Sequence, residues 1–185
     1  MERRTKIVFQ LTPMTSKDVL ATEFQEYYQR YIDLVPNSLD LEMALSVGAE
    51  EILAFFKAIP MDTWDYAYAE GKWTVKEVLQ HIVDTERVFA YRMFRIGRHD
   101  HTPLPGFDQD VFVKPSRAND KSPEDLLKAY LVTRGYTQSI LDEFSETDLT
   151  FIGTASDGHL SARAAAFIIL GHERWHLKIL RERYF

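Results

Sequence analysis

Apolar residues recur along this chain at steps of three and four, the spacing of one helix face, in four separate stretches. Over residues 39–59 the stripe is Leu41, Leu45, Gly48, Ile52, Phe55 and Ile59, and Pro60 closes it. Over residues 74–97 it is Val75, Leu79, Ile82, Glu86, Phe89, Met93 and Ile96. TVKE opens this second helix as a capping box, with Thr74 as N-cap and Glu77 three positions on. The third stretch opens at SPED, with Ser122 as N-cap and Pro123 in the first helical position. Its stripe is Leu127, Leu131, Arg134, Gln138 and Leu141. The fourth starts near Ser161 and carries Ala165, Ile169, His172, His176 and Ile179. Four amphipathic helices of about twenty residues predict an all-α four-helix bundle. Residues 98–121, with Pro103, Pro105, Gly106 and Pro115, form a long connection between the second and third helices. That length lets the chain return along the bundle, so a crossover topology is expected in place of up-down-up-down.

Residues 1–37 are expected to form an arm packing on a bundle domain of residues 38–185. Within the arm, Ile7, Phe9 and Leu11 alternate, which predicts a short extended piece over residues 6–11. Residues 23–34 predict a helix with Tyr27, Tyr28 and Tyr31 on one face, ended by Pro36.

Three of the four stripes carry polar residues in the middle, where an unpartnered polar group costs about 1–3 kcal/mol. On the second and third helices these are Glu86 and Arg134. Either charge buried alone is expensive, so the two are expected to pair across the interface; the alternative is that the stripes broaden there and both reach solvent. On the fourth they are His172 and His176, one turn apart on one face, the spacing at which two imidazoles can hold one metal ion. Two hydrogen-bonded core histidines are the alternative reading.

GHERWH also contains H-E-x-x-H, the signature of a class of zinc peptidases. Those enzymes take their next ligand further along the chain. Here LKILRERYF follows, and Glu182 lies about 9 Å of helical rise beyond His176. A third ligand is therefore sought upstream. His81, beside Leu79 and Ile82 in LQHIVDTER, is the best candidate. Three imidazoles would leave a coordination position for water or substrate, as catalytic metal sites do. Asp84, one turn from His81, and Glu173, about 100° around the helix from His172, are the candidate proton-moving carboxylates. Glu173 reads first as a solvated charge; Asp84 can also be a fourth ligand, a hydrogen-bond partner for an imidazole, or simply exposed. RHDH, from Arg98 to His101, reads as a polar loop. His159 is expected just before the fourth helix. FDQD, from Phe107 to Asp110, is too short for a calcium loop but can line the mouth of a pocket.

Composition narrows the partners. The chain has 185 residues and a net charge of −6, which argues against nucleic acid as a partner and weakly against acidic membranes. It has no cysteine, so disulfides are excluded and any metal must be held by His, Asp or Glu. MERRTKIVFQLTP lacks the apolar run of a signal peptide, and no later stretch is long enough to span a bilayer. A cytoplasmic protein acting on a small molecule is the expectation.

GKWTVKEVLQHIVDTERVFAYR, PLPGFDQD and GHERWHLKILRERYF, in this order and separation, resemble the DinB-like (DinB/YfiT-like) superfamily. The resemblance covers about residues 39–185 and implies a four-helix bundle with a crossover connection. It implies that His81, His172 and His176 bind a divalent metal such as nickel or zinc, and that the protein is a homodimer. It also implies a reaction class: thiol-dependent S-transfer or isomerisation with a low-molecular-weight thiol. Metal-dependent hydrolysis and non-catalytic metal or ligand binding are the alternatives.

Overall fold

A computed structural model describes residues 12–185, so the extended piece expected over residues 6–11 lies outside the described residues. Seven helices and one hairpin follow in chain order: α1 (Gln29–Ile32), α2 (Leu41–Lys57), α3 (Val75–Gly97), α4 (Gln109–Ser116), α5 (Pro123–Leu141), α6 (Glu146–Thr150), β1 (Ile152–Ala155), β2 (Gly158–Ser161) and α7 (Ala162–Arg183). The four long helices α2, α3, α5 and α7 are the four that the apolar spacing predicts. Their starts are set locally. The Asp40, Thr74, Ser122 and Ser161 side chains each accept a backbone N–H from the first turn.

The connection through residues 98–121 does return the chain along the bundle. Near the start of α3, Gln80 accepts from Lys121, just ahead of α5. Mid-helix, Glu86 meets Arg134, and past the two C-termini Arg98 pairs with Glu143. α3 and α5 are therefore parallel. α7 runs antiparallel to α3, since the Tyr184 hydroxyl donates to the Trp73 carbonyl at 2.7 Å. It runs parallel to α2, with Glu173 beside Gly48 and Phe185 beside Phe55. The order is up-down-down-up, which long connections permit.

Two stripes differ in detail from the apolar spacing. On α2, Phe56 is buried and Phe55 only half-buried, because the i+4 step from Ile52 faces the core. On α5 the buried face is Leu126, Tyr130, Thr133, Arg134, Thr137 and Leu141, and Leu131 points outward. Polar side chains hold that face because their hydroxyls have work inside. Tyr130 donates to Glu173 at 2.9 Å and Thr137 to Glu86 at 2.7 Å.

The helix expected over residues 23–34 is shorter than predicted. A 3-10 turn, Glu26–Tyr28, leads into the four-residue α1. α1 packs on α7, and the arm's Met14, Phe24, Ile32 and Val35 share a core with Ala165, Ile168 and Ile169. Gly171, the first letter of GHERWH, permits this approach, since a Cβ there would run into the Tyr31 carbonyl.

The β1–β2 hairpin is an addition to the all-helical pattern. Ile152 pairs with Ser161 and Ala155 with Gly158, and the turn residues Ser156 and Asp157 have φ of 51° and 61°. Positive φ at both central positions is the hairpin turn that matches strand twist. His159 lies in β2, just before α7 as expected. His99 of RHDH is exposed, stacks on Phe151 and contacts Asp148.

Two apolar clusters stack along the bundle. One contains Leu45, Phe89 and Leu170; the other contains Ile52, Ile82, Tyr130 and Leu177. Between them lies a layer of buried polar groups, and the candidate site is part of it. Among the described residues, no helix is long and apolar enough to cross a membrane.

Candidate metal centre

α7 projects His172 and His176 from one face, one turn apart, toward α3, where His81 sits half-way between the Leu79 and Val83 turns. His172 and His176 are polar positions on the α7 stripe, and His81 lies beside the α3 stripe, next to Ile82. His81 Nε2 lies 2.9 Å from His172 Nε2, and His176 Nε2 lies 3.1 Å from the same atom. Nitrogens each about 2.0–2.1 Å from one shared ion stand about this far apart. Among the described residues, these three form the one group of His, Asp and Glu side chains close enough to hold an ion together.

Burial tunes all three rings toward the neutral form that a metal ligand needs. It pushes His81 down to about 4. It lowers His176 to about 3, helped by His81. His172, the most enclosed, is held well below the ordinary histidine range by burial and by its two neighbours. The rings are also held in place. Thr85 Oγ1 lies 3.5 Å from His81 Nδ1, Trp73 packs on His81, and Tyr31 stands edge-on to His172. Three neutral, converging, oriented imidazoles fit a divalent transition metal and do not select among zinc, nickel, iron and copper.

The two candidate carboxylates lie in different places. Asp84 is half-buried and accepts from Gln80 at 2.9 Å and Arg87 at 3.1 Å, and it lines a small pocket with His81. Glu173 faces the bundle interior away from the histidine group. Its Oε2 accepts from Arg134 at 2.6 Å and from Tyr130 at 2.9 Å. Arg134 also grips Glu86 through two bonds, of 2.9 and 3.1 Å, and donates to the Leu45 carbonyl at 2.8 Å. The expected Glu86–Arg134 pair is thus present, with Glu173 as a third member. Burial raises the Glu173 carboxyl above its ordinary value against the pull of Arg134, and Glu86 adds to the rise. Its Oε1 has no hydrogen-bond partner and occupies the space a Cβ at Gly48 would fill. Glu173 therefore ties α7 to α5 and has no free oxygen directed at the histidines.

Two clefts reach the histidine group from different sides. One, of about 420 Å³, ends on His172 and is walled by Tyr28, Tyr31, Phe89 and Phe107. The other, of about 550 Å³, ends on His176 and is walled by Tyr68, Trp73, Ile179 and Tyr184. Asp110 of FDQD borders both, and Phe107 and Gln109 border the first, so this segment lines a pocket mouth. The site role of the arm's tyrosines is absent from the sequence reading. Their clustering at 27, 28 and 31 was its one available signal.

Comparison with known proteins agrees with this architecture. A sequence profile of the DinB superfamily matches residues 44–180. No curated protein sequence matches the chain. Among solved structures, the chain is similar to YfiT from Bacillus subtilis, described as a probable metal-dependent hydrolase with an unusual four-helix bundle topology. The identity is 14%, the TM-score 0.62, and the match covers 89% of this chain and 91% of YfiT. It is also similar to a mycothiol-dependent maleylpyruvate isomerase, at 15% identity and TM-score 0.60, over 77% of this chain and 60% of the isomerase. At these identities the likeness is one of fold.

Proposed function

This chain belongs to the DinB superfamily, and on that premise we propose that it is a metal-dependent enzyme acting on a small molecule, with His81, His172 and His176 holding a divalent ion, nickel or zinc. The observation that carries the reading is the convergence of the three Nε2 atoms, 2.9 and 3.1 Å apart, with one cleft ending on His172 and another on His176. When bound, the ion supplies Lewis acidity, which lowers the pKa of a coordinated thiol or water.

The chain's own residues supply orientation and enclosure. Thr85, Trp73 and Tyr31 fix the ring planes. Aromatic rings wall both clefts beside these imidazoles. Asp84, beside His81, is the carboxylate available to move a proton; Glu173 is committed to Arg134 and Tyr130.

Two clefts favour a two-substrate reaction, thiol-dependent S-transfer: a low-molecular-weight thiol enters by one and a small electrophile by the other. The mycothiol dependence of the similar isomerase supports this reading. Hydrolysis is the second reading, supported by YfiT, whose length the match nearly spans. A homodimer and a cytoplasmic setting belong to the same proposal.

The test is metal analysis of the purified full-length protein beside His81→Ala, followed by activity profiling. Stoichiometric metal in the wild type and its loss in the variant are expected. Thiol adducts with 1-chloro-2,4-dinitrobenzene would support transfer, and ester cleavage without thiol would support hydrolysis. A wild type that takes up no stoichiometric metal on reloading overturns the proposal.

A further inference from the structure

Mostly buried guanidinium groups in this protein meet carboxylates. Arg134 meets Glu86 and Glu173, Arg163 meets Glu23, and Arg174 meets Glu51. Arg92, on α3, departs from this pattern. It is 1% exposed, and among the described residues no carboxylate lies within ion-pair distance of it. An unpaired buried charge is expensive, so its surroundings need a reason.

Those surroundings are the wall of the His172 cleft. Arg92 Nη2 donates to the Pro105 carbonyl at 3.0 Å and to Ser156 Oγ at 2.7 Å. The guanidinium lies 4.9 Å from the Phe89 ring centre and 5.7 Å from that of Phe107. Burial lowers its pKa, and Tyr28 is the neighbour that pushes it back. Ser156, Phe89, Phe107 and Tyr28 all line the cleft that ends on His172. Neutral oxygens and ring faces offset part of the charge without cancelling it, which leaves a positive potential behind one end of the cleft. Ser156 Oγ accepts from Arg92, so its own proton is free to be donated into the cleft. Its place is fixed by the hairpin turn, where it has φ of 51°.

We propose that this end of the cleft binds an anionic group of the substrate, a carboxylate or a phosphate, through the Ser156 and Tyr28 hydroxyls backed by the charge of Arg92. The tyrosine and phenylalanine walls suit an apolar or aromatic body attached to that anion. Asp108 and Asp110 line the same cleft but are exposed at its rim, where they repel a second anionic group. Solvent screens their charge there, so they oppose an anion seated inward less than one held at the rim. The role in catalysis rests on the metal-enzyme reading above; the binding itself does not.

The experiment is calorimetric titration of the metal-free full-length protein with benzoate and phenyl phosphate, with benzyl alcohol and benzylamine as neutral and cationic controls. Saturable binding of one anion is expected, and which one binds identifies the group. Arg92→Gln should weaken it at least tenfold, Ser156→Ala several-fold, and Arg92→Lys less than Arg92→Gln. Ser156→Ala keeps the buried charge, so it remains informative if Arg92→Gln fails to fold. Absence of anion binding, preference for benzylamine, or unchanged affinity in Ser156→Ala and Arg92→Gln overturns the inference. Metal uptake by the same preparations separates the two readings. Metal binding without anion binding defeats this inference alone, and anion binding without metal binding defeats the enzyme reading alone.

Discussion

Glu173 Oε2 and Arg134 Nη2 meet at 2.6 Å in the middle of the bundle, one residue along α7 from His172. The side chain that makes the motif look like a peptidase thus holds two helices together beneath the histidines. Two carboxylates share one guanidinium here, and all three side chains are almost fully enclosed.

Removing that guanidinium leaves both carboxylates without their charge partner. Arg134→Met is expected to cost about 3–5 kcal/mol of stability, the usual consequence of breaking a buried pair from one side. In urea unfolding, the double variant Glu86→Gln/Arg134→Met should be more stable than the sum of the single losses predicts. Additive losses would show that the two residues are not coupled.

A bound ion stabilises the folded chain by mass action. At a free metal concentration a hundred times the dissociation constant, the gain is about 2.7 kcal/mol. Zinc or nickel should therefore raise the melting temperature of the wild type, and a chelator should reverse the rise. Neither His81→Ala nor His172→Ala should show this response, and a response of wild-type size in both would remove the three histidines as the site.

Gly171→Ala sets two effects against each other. Alanine favours the helix by about 1 kcal/mol. Its methyl, however, meets the Tyr31 carbonyl, a backbone atom that moves only if the arm moves. Overpacking of this kind costs about 1–3 kcal/mol, so net destabilisation is expected. Faster proteolytic cleavage in the arm, with less change in bundle unfolding, would locate the effect. A stabilised variant with an unchanged cleavage rate would show that the contact gives way easily.

Acid should act through Glu23. Burial alone would raise its carboxyl, but bonds from Arg163, the Leu20 amide and Ser161 outweigh burial and hold it below the ordinary value of 4.5. A carboxyl whose folded pKa is depressed adds stability that is fully present above its unfolded pKa. That contribution is lost as pH falls below 4.5 and through the folded value. Unfolding free energy measured from pH 6 to pH 3 should fall more steeply in the wild type than in Glu23→Gln. Equal slopes would remove Glu23 from the account.

The four long helices, two of their caps and the polar interruptions of their stripes were legible in the residues because each depends on local spacing. Thr74 and Glu77, or Ser122 and Pro123, carry their helix starts within four positions. The α5 stripe was misread by one residue because its core face is built from Tyr130, Thr133 and Thr137. Their burial makes sense only once the carboxylates they serve are in view.

The sequence by itself determined the angle at which each side chain leaves its own helix, and therefore that His172, His176, Glu86 and Arg134 lie on faces turned to other elements, with His81 beside such a face. Only the tertiary structure decided which element each one faces. α7 is enclosed on most sides through its first half, so His172 and Glu173, one residue and about 100° apart, meet different neighbours. One turns to α3 and the arm, the other to α5. The same holds for Arg92, which the loop and hairpin folded over it surround with the Pro105 carbonyl and the Ser156 hydroxyl, and with no carboxylate among the described residues. Helical periodicity is a property of one segment, whereas pairing is a property of the packed whole.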